Sequence, residues 1–264
     1  MEFELLIFLF IFIGLISGLL AGLLGIGGGV ITVPFLYYIF HYSELIPNHP
    51  MQFAVGTSLA ASCVASGVST FFQIKKHAVE YSALRLMTPT LILGCIFGSL
   101  IALHASSTYL RIVFAGVAIL LGIYLLFPKL PNLYIAPAPD RSLAVFGLLI
   151  GTLSSMLGIG GGSISFPIFL GYQLQVNRAS ATASASTFIT TFFGSILFLM
   201  IAWKNSKTSY ALGYIQLPAF FAISAGAILT SPIGVRMSRM LPVSQIKRSF
   251  GVCLILVGLA MIFI

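Results

Sequence analysis

The sequence predicts an all-α polytopic membrane protein made of two inverted-topology repeats, each a glycine-broken hairpin plus three transmembrane helices, about 8 to 10 membrane segments in total. Three observations carry this. Hydrophobic residues make up 59% of the 264-residue chain and charged residues 7%, with a mean hydropathy of +1.09. Soluble domains carry about 25% charge, so a bilayer is the solvent that suits this chain. The hexapeptide LGIGGG occurs at residues 24–29 and again, letter for letter, at 157–162, followed by Pro34 and Pro167. Around these two copies, a shift of 133 positions gives 12 identities in the 21 positions 14–34. Finally, apolar runs repeat in one order, a long run and then three ordinary ones.

The runs lie at roughly 5–40, 51–74, 86–103, 109–127, 142–174, 179–203, 211–233 and 249–264, and about 20 apolar residues make one span. The N-terminus carries Glu2 and Glu4 where a signal peptide needs positive charge, so the first run is expected to stay as a membrane segment. The two long runs, 36 and 33 residues, exceed one helix and barely suffice for two full spans and a turn. Each is expected to split at its glycines. The stretch after each break reaches only about 16 Å at 1.5 Å per residue, half a bilayer core, and whether the broken segments are re-entrant or full spans stays open. Residues 129–141, rich in proline and charge, read as the linker between a first repeat at 1–128 and a second at 142–264. Cys63, Cys95 and Cys253 match no metal or redox spacing and read as small packing residues.

Membrane proteins concentrate Lys and Arg on the cytoplasmic side. If each broken run is a hairpin returning to the side it left, the loops holding Lys75, Lys76, Arg85, Lys129, Arg141, Arg178, Arg236, Arg239, Lys247 and Arg248 share one face. The tally is 10 against 3, with Arg111, Lys204 and Lys207 opposite. If each run crosses once, it falls to 7 against 6. The hairpin arrangement is therefore expected, with oppositely oriented halves and both termini outside the cytoplasm. Trp203, Tyr37, Tyr38 and Tyr124 read as interfacial anchors.

Irregular backbone at membrane depth survives only where it is buried in protein or lines a wet cavity. The glycines Gly27, Gly28 and Gly29 are placed to open a helix at Val30, and Gly160, Gly161 and Gly162 to open another near Ser163. Both helix starts leave N–H groups unpaired at the positive end of a helix dipole, which makes an anion site without a charged side chain. Nearby hydroxyls come from Thr32, Ser163 and Ser165, from Thr57, Ser58 and Ser62 in AVGTSLAAS, and from Thr182, Ser184 and Ser186 in ASATASAST. Small residues at these spacings also let membrane helices approach closely, so packing is the competing account of the same pattern. A repeat whose most faithful part is a glycine-broken apolar segment points to a transporter's binding site, so a bulky residue at Gly28 is expected to abolish transport and leave the chain folded. The five acidic residues, Glu2, Glu4, Glu44, Glu80 and Asp140, all avoid the apolar runs, which argues against ion coupling through a buried carboxylate. No nucleophile–base pairing sits at membrane depth, so an intramembrane enzyme is not expected, and neither is a metal or a cofactor. The net charge of +8 is spread over short loops and forms no nucleic-acid stripe.

The repeated LGIGGGxIxxP, the AVGTS segment and the glycine-rich closing helices resemble the sulfite exporter TauE/SafE family, the 4-toluene sulfonate uptake permeases. The resemblance covers essentially the whole chain. It implies a multi-pass transporter of the bacterial inner membrane for sulfite, thiosulfate, sulfoacetate or another sulfur-containing anion. Its motif falls on residues 25–29 with Pro34, 158–162 with Pro167, and Thr57 with Ser58. The second half reads ASATA at 179–183, so Ala183 offers no hydroxyl to match Ser58. Sequence thus points to a secondary carrier that binds a small anion between two helix ends and exposes it alternately. A passive anion channel is the alternative, and homo-oligomerisation stays open.

Overall fold

The computed structural model describes residues 3–42, 46, 49–126, 141–201, 210–238, 240 and 243–263. The chain opens with α1 (Phe3–Leu24), then α2 (Gly29–Tyr42), α3 (Pro50–Ile74), α4 (Tyr81–His104) and α5 (Ser107–Leu126). The second half repeats this order as α6 (Ser142–Leu157), α7 (Gly162–Gly171), α8 (Val176–Ile201), α9 (Leu217–Met237) and α10 (Val243–Phe263). Among the described residues, six helices, α1, α3, α4, α5, α8 and α9, are long and apolar enough to cross a membrane. This is an all-α polytopic membrane protein. The linker 129–141 lies outside the described residues except for Arg141, and so do Trp203, Lys204 and Lys207.

Local chemistry sets the helix ends. Both long runs break where expected: α1 stops at Leu24 and α6 at Leu157. Gly158 takes the left-handed conformation at φ +70° that closes a helix, and its N–H donates to Ser154 O at 2.9 Å. Gly25 does the same at φ +73°, donating to Ala21 O at 3.1 Å. Pro50 begins α3 at the one turn that tolerates a missing N–H. The apolar run at 211–233 is not helical throughout. Its first residues form a two-strand hairpin, β1 (Ala211–Leu212) with β2 (Ile215–Gln216), because Gly213 at φ +58° supplies the turn and Pro218 starts the helix. The Gln216 side chain then caps α9 by accepting from Ala219 N–H at 2.7 Å.

Packing runs across the halves. Helix α1 lies along α9, and α4 lies along α6. In element order α1 is the counterpart of α6 and α4 of α9, so the two pairs are counterparts of each other. Helices α3 and α8 pack on each other at the centre, and α5 packs on α10. Backbones approach closely at glycine: Gly14, Gly18 and Gly22, one turn apart on α1, face the main chain of α9 at Ile223, Ala227 and Ser231. The centre is rich in buried hydroxyls, among them Ser58, Ser62, Thr182, Ser184, Ser186, Thr187, Thr190 and Thr191.

Candidate functional site

The two glycine breaks meet at the middle of the molecule. A Cβ placed on Gly162 would collide with the carbonyl oxygen of Gly25, and one on Gly29 with that of Gly158. These contacts are reciprocal, since 25 pairs with 158 and 29 with 162 in the repeat. Each α-helix that follows a break therefore starts against the carbonyl of the glycine that closes the helix before the other break.

Gly27 (φ +81°) and Gly160 (φ +77°) lie in backbone conformations that side chains rarely adopt. Both face the same residue from opposite sides, because a Cβ on Gly27 would stand 2.6 Å from Thr187 Cγ2 and one on Gly160 3.1 Å from it. Gly28 (φ +73°) packs on Ser17 of α1, where a Cβ would lie 2.6 Å from the Ser17 carbonyl oxygen. A bulky residue there strains the backbone and forces α1 away, so the expectation that such a variant stays folded does not survive the structure. Gly161 differs: it has φ −60°, and the nearest atoms to a Cβ there are at 3.1 Å and beyond, mostly on Thr190.

Hydrogen bonding around the breaks divides into satisfied carbonyls and free amides. Gly25 O accepts from Thr187 Oγ1 at 2.8 Å, and Gly158 O accepts from Ser58 Oγ at 3.0 Å. The gap left by Ala183 is thus filled by Thr187, one turn along α8. At the start of α2, the first recorded main-chain bonds are Ile31 N–H and Thr32 N–H, both to Gly28 O at 3.1 Å. At the start of α7, Gly161 N–H donates to Thr190 Oγ1 at 3.1 Å and Ser165 N–H to Gly161 O at 2.8 Å. Among the described residues, the N–H groups of Gly29 and Val30, and of Gly162 and Ser163, meet no acceptor. Unpaired amides therefore stand at both helix N-termini. Ser62 Oγ, fully buried and about 4.0 Å from where a Gly27 Cβ would sit, also lacks a partner.

The predicted hydroxyls have varied employment. Thr32 Oγ1 donates back to Gly28 O at 3.1 Å, and Ser163 Oγ to Gly160 O at 3.3 Å. Ser165 and Ser186 share a hydrogen bond at 2.9 Å. Thr57 and Thr182 stand apart from the breaks as braces: Thr57 Oγ1 accepts from Gln216 N–H, before α9, and Thr182 Oγ1 from Glu80 N–H, before α4, both at 3.0 Å. The two threonines do the same task in the two halves. Sequence reading missed Thr187 and Thr190; their signal, threonines at helical spacing on α8, was there, but its long-range partners were not.

Two faces close over this centre differently. On one, Arg178 Nη1 donates to Glu80 Oε2 at 2.8 Å, while Ser82 Oγ donates to Glu80 Oε1 at 2.6 Å. On the other, Tyr214 packs edge-on against Phe53, Phe198 and His49. Burial against these rings raises the Tyr214 phenol above its ordinary pKa, so it stays neutral.

Residues 10–261 match the family described as Sulfite exporter TauE/SafE. The chain belongs to the sulfite exporter TauE/SafE family. Its relatives include a probable membrane transporter protein of Haemophilus influenzae, 29% identical over 90% of each chain. Another, from Methanocaldococcus jannaschii, is 29% identical over 99% of this chain and 97% of its own length. A third, from Bacillus subtilis, is 25% identical over 91% of both. No solved structure matches the chain. As a TauE/SafE protein with six spanning-length helices among the described residues, it is a multi-pass membrane transporter and not an enzyme.

Proposed function

We propose that this TauE/SafE protein is a secondary carrier of a small sulfur-containing anion, bound by the free amides where the two glycine breaks meet. The observation that carries this reading is the reciprocal seating of Gly29 on Gly158 O and Gly162 on Gly25 O, with unbonded N–H groups at both helix starts. Two helix N-termini seated beside each other's glycine break favour a negative solute without a buried cation, whose desolvation would be costly. Sulfite, thiosulfate and sulfoacetate fit this chemistry, having compact oxyanion heads with several acceptor oxygens. The site residues are Gly27, Gly28, Gly29, Gly160, Gly161 and Gly162, with the hydroxyls of Thr32, Ser58 and Ser163 fixing the surrounding backbone and Ser165 tied to Ser186 of α8. Thr57 and Thr182 hold the loops that cover it.

Inverted repeats suit the exchange of helix pairs and the Arg178–Glu80 ion pair. The contact between Arg178 and Glu80 supports a common face for residues 75–85 and 175–178, the arrangement expected of hairpin-type breaks and not of single crossings. Alternating access then consists of one half rocking on the other about the α3–α8 contact, opening first the Arg178 face and then the Tyr214 face. The bacterial inner membrane is the proposed location. Proteoliposomes test the reading: the purified protein should accumulate labelled sulfoacetate or thiosulfate above the external concentration under an imposed ion gradient. Uptake that stops at equal concentrations would indicate a channel, and no anion uptake would remove the reading.

A further inference from the structure

Helix α8 carries a polar stripe from the membrane face to the glycine breaks. Asn177, Ser180, Ser184 and Thr187 recur every three or four residues and so share one side of the helix. Asn177 is exposed, Ser180 is 5% exposed, and Ser184 and Thr187 are fully buried. The stripe reaches its destination: Thr187 Oγ1 bonds Gly25 O at 2.8 Å, and Ser184 Oγ, bonded to Ser180 O and Ser69 Oγ, lies 2.7 Å from where a Gly25 Cβ would sit.

At the outer end of the stripe is a cavity of about 10 Å³, lined by Leu24, Phe166, Asn177, Ser180 and Ser238 among others. That is room for about one water or one oxygen of a solute. The Ser180 hydroxyl on its wall is buried and has no hydrogen-bond partner among the described residues. Arg178 and Arg236 are exposed nearby in sequence, beside Asn177 and Ser238. In the other half the equivalent positions are Gln52, Val55, Leu59 and Ser62, polar at the two ends and apolar at the two middle places. Thr57 and Thr182 occupy equivalent places, so Ser180 corresponds to Val55, whose backbone touches the Gly158 position as Ser180 touches Gly25.

From this juxtaposition we infer that the Asn177–Ser180–Ser184 stripe is the solute's access path from the Arg178 face, with Ser180 Oγ the first buried donor it meets. This rests on the carrier reading above and adds to it a route and a residue. The middle of the path, Ser180 and Ser184 against Val55 and Leu59, is polar on one side only. A solute leaving towards the Tyr214 face meets Val55 instead, so the two openings differ in affinity.

Cysteine accessibility tests this in reconstituted protein with Cys63, Cys95 and Cys253 replaced by alanine. Ser180→Cys should react with the anionic reagent sulfonatoethyl methanethiosulfonate from the Arg178 face, several-fold faster than Val55→Cys reacts from the opposite face. Sulfoacetate should slow the Ser180→Cys reaction. Equal rates, or no protection by sulfoacetate, would overturn the path. In parallel, Ser180→Ala should raise the KM for sulfoacetate about tenfold, the value of one hydrogen bond to a charged group, with kcat little changed; unchanged KM would also overturn it. Failure of these tests while wild-type protein accumulates anion would discard the path and leave the glycine site, whereas absence of wild-type accumulation would discard the site itself.

Discussion

Replacing Gly162 by alanine tests the meeting of the breaks. The new Cβ would strike Gly25 O, a main-chain atom held in place by its bond from Thr187. No side chain can rotate away, so the halves must part or the start of α7 must shift. Overpacking of this kind costs about 1–3 kcal/mol. At about 2–4 °C per kcal/mol for a chain of this size, the melting temperature should fall by roughly 2–12 °C. Gly29→Ala should do the same through Gly158 O. The control is Gly116→Ala, on an exposed face of α5 with nothing within 4 Å of its Cβ. There alanine should be neutral or stabilise by up to about 1 kcal/mol through helix propensity. Thermal unfolding of the purified variants, followed by intrinsic fluorescence, reads all three. Equal stability of Gly162→Ala and wild type would show that the two breaks are not in main-chain contact.

Thr187→Val should destabilise by about 1–3 kcal/mol because Gly25 O loses its donor, and Thr187→Ser should restore most of that loss in the same unfolding assay. Glu80→Gln should change stability by less than about 1 kcal/mol, since the Arg178 side chain is 53% exposed; a larger loss in salt titrations of the melting temperature would mean the pair carries more than an exposed ion pair does. Reporters fused to each terminus in bacterial cells should both signal a non-cytoplasmic position; a cytoplasmic signal from either would contradict the hairpin arrangement.

The fold was legible in the sequence where hydropathy and glycine decide it. The runs at 51–74 and 109–127 became α3 and α5 within a few residues, and both LGIGGG copies stopped one helix and started the next. The run at 211–233 misled at its beginning, because Ala211, Leu212 and Ile215 are apolar in a strand hairpin as readily as in a helix. Within the site, the glycines announced themselves because no other residue holds φ near +80° cheaply. Hydroxyls did not. Thr57 and Thr187 look alike in sequence, yet one braces Gln216 and the other bonds Gly25 O, 159 and 162 positions away. A hydroxyl's partner is set by which helices pack, and that is fixed by contacts between halves that no local pattern records. The same holds for Arg178, which counted as a topology charge and proves to join the halves through Glu80.

Amide hydrogen exchange of the reconstituted protein, with and without sulfoacetate, addresses the central claim most directly. Bound anion should slow exchange in peptides covering residues 27–30 and 161–164 together, with smaller changes elsewhere. Protection that appears at other segments while both glycine breaks exchange as before would contradict the account.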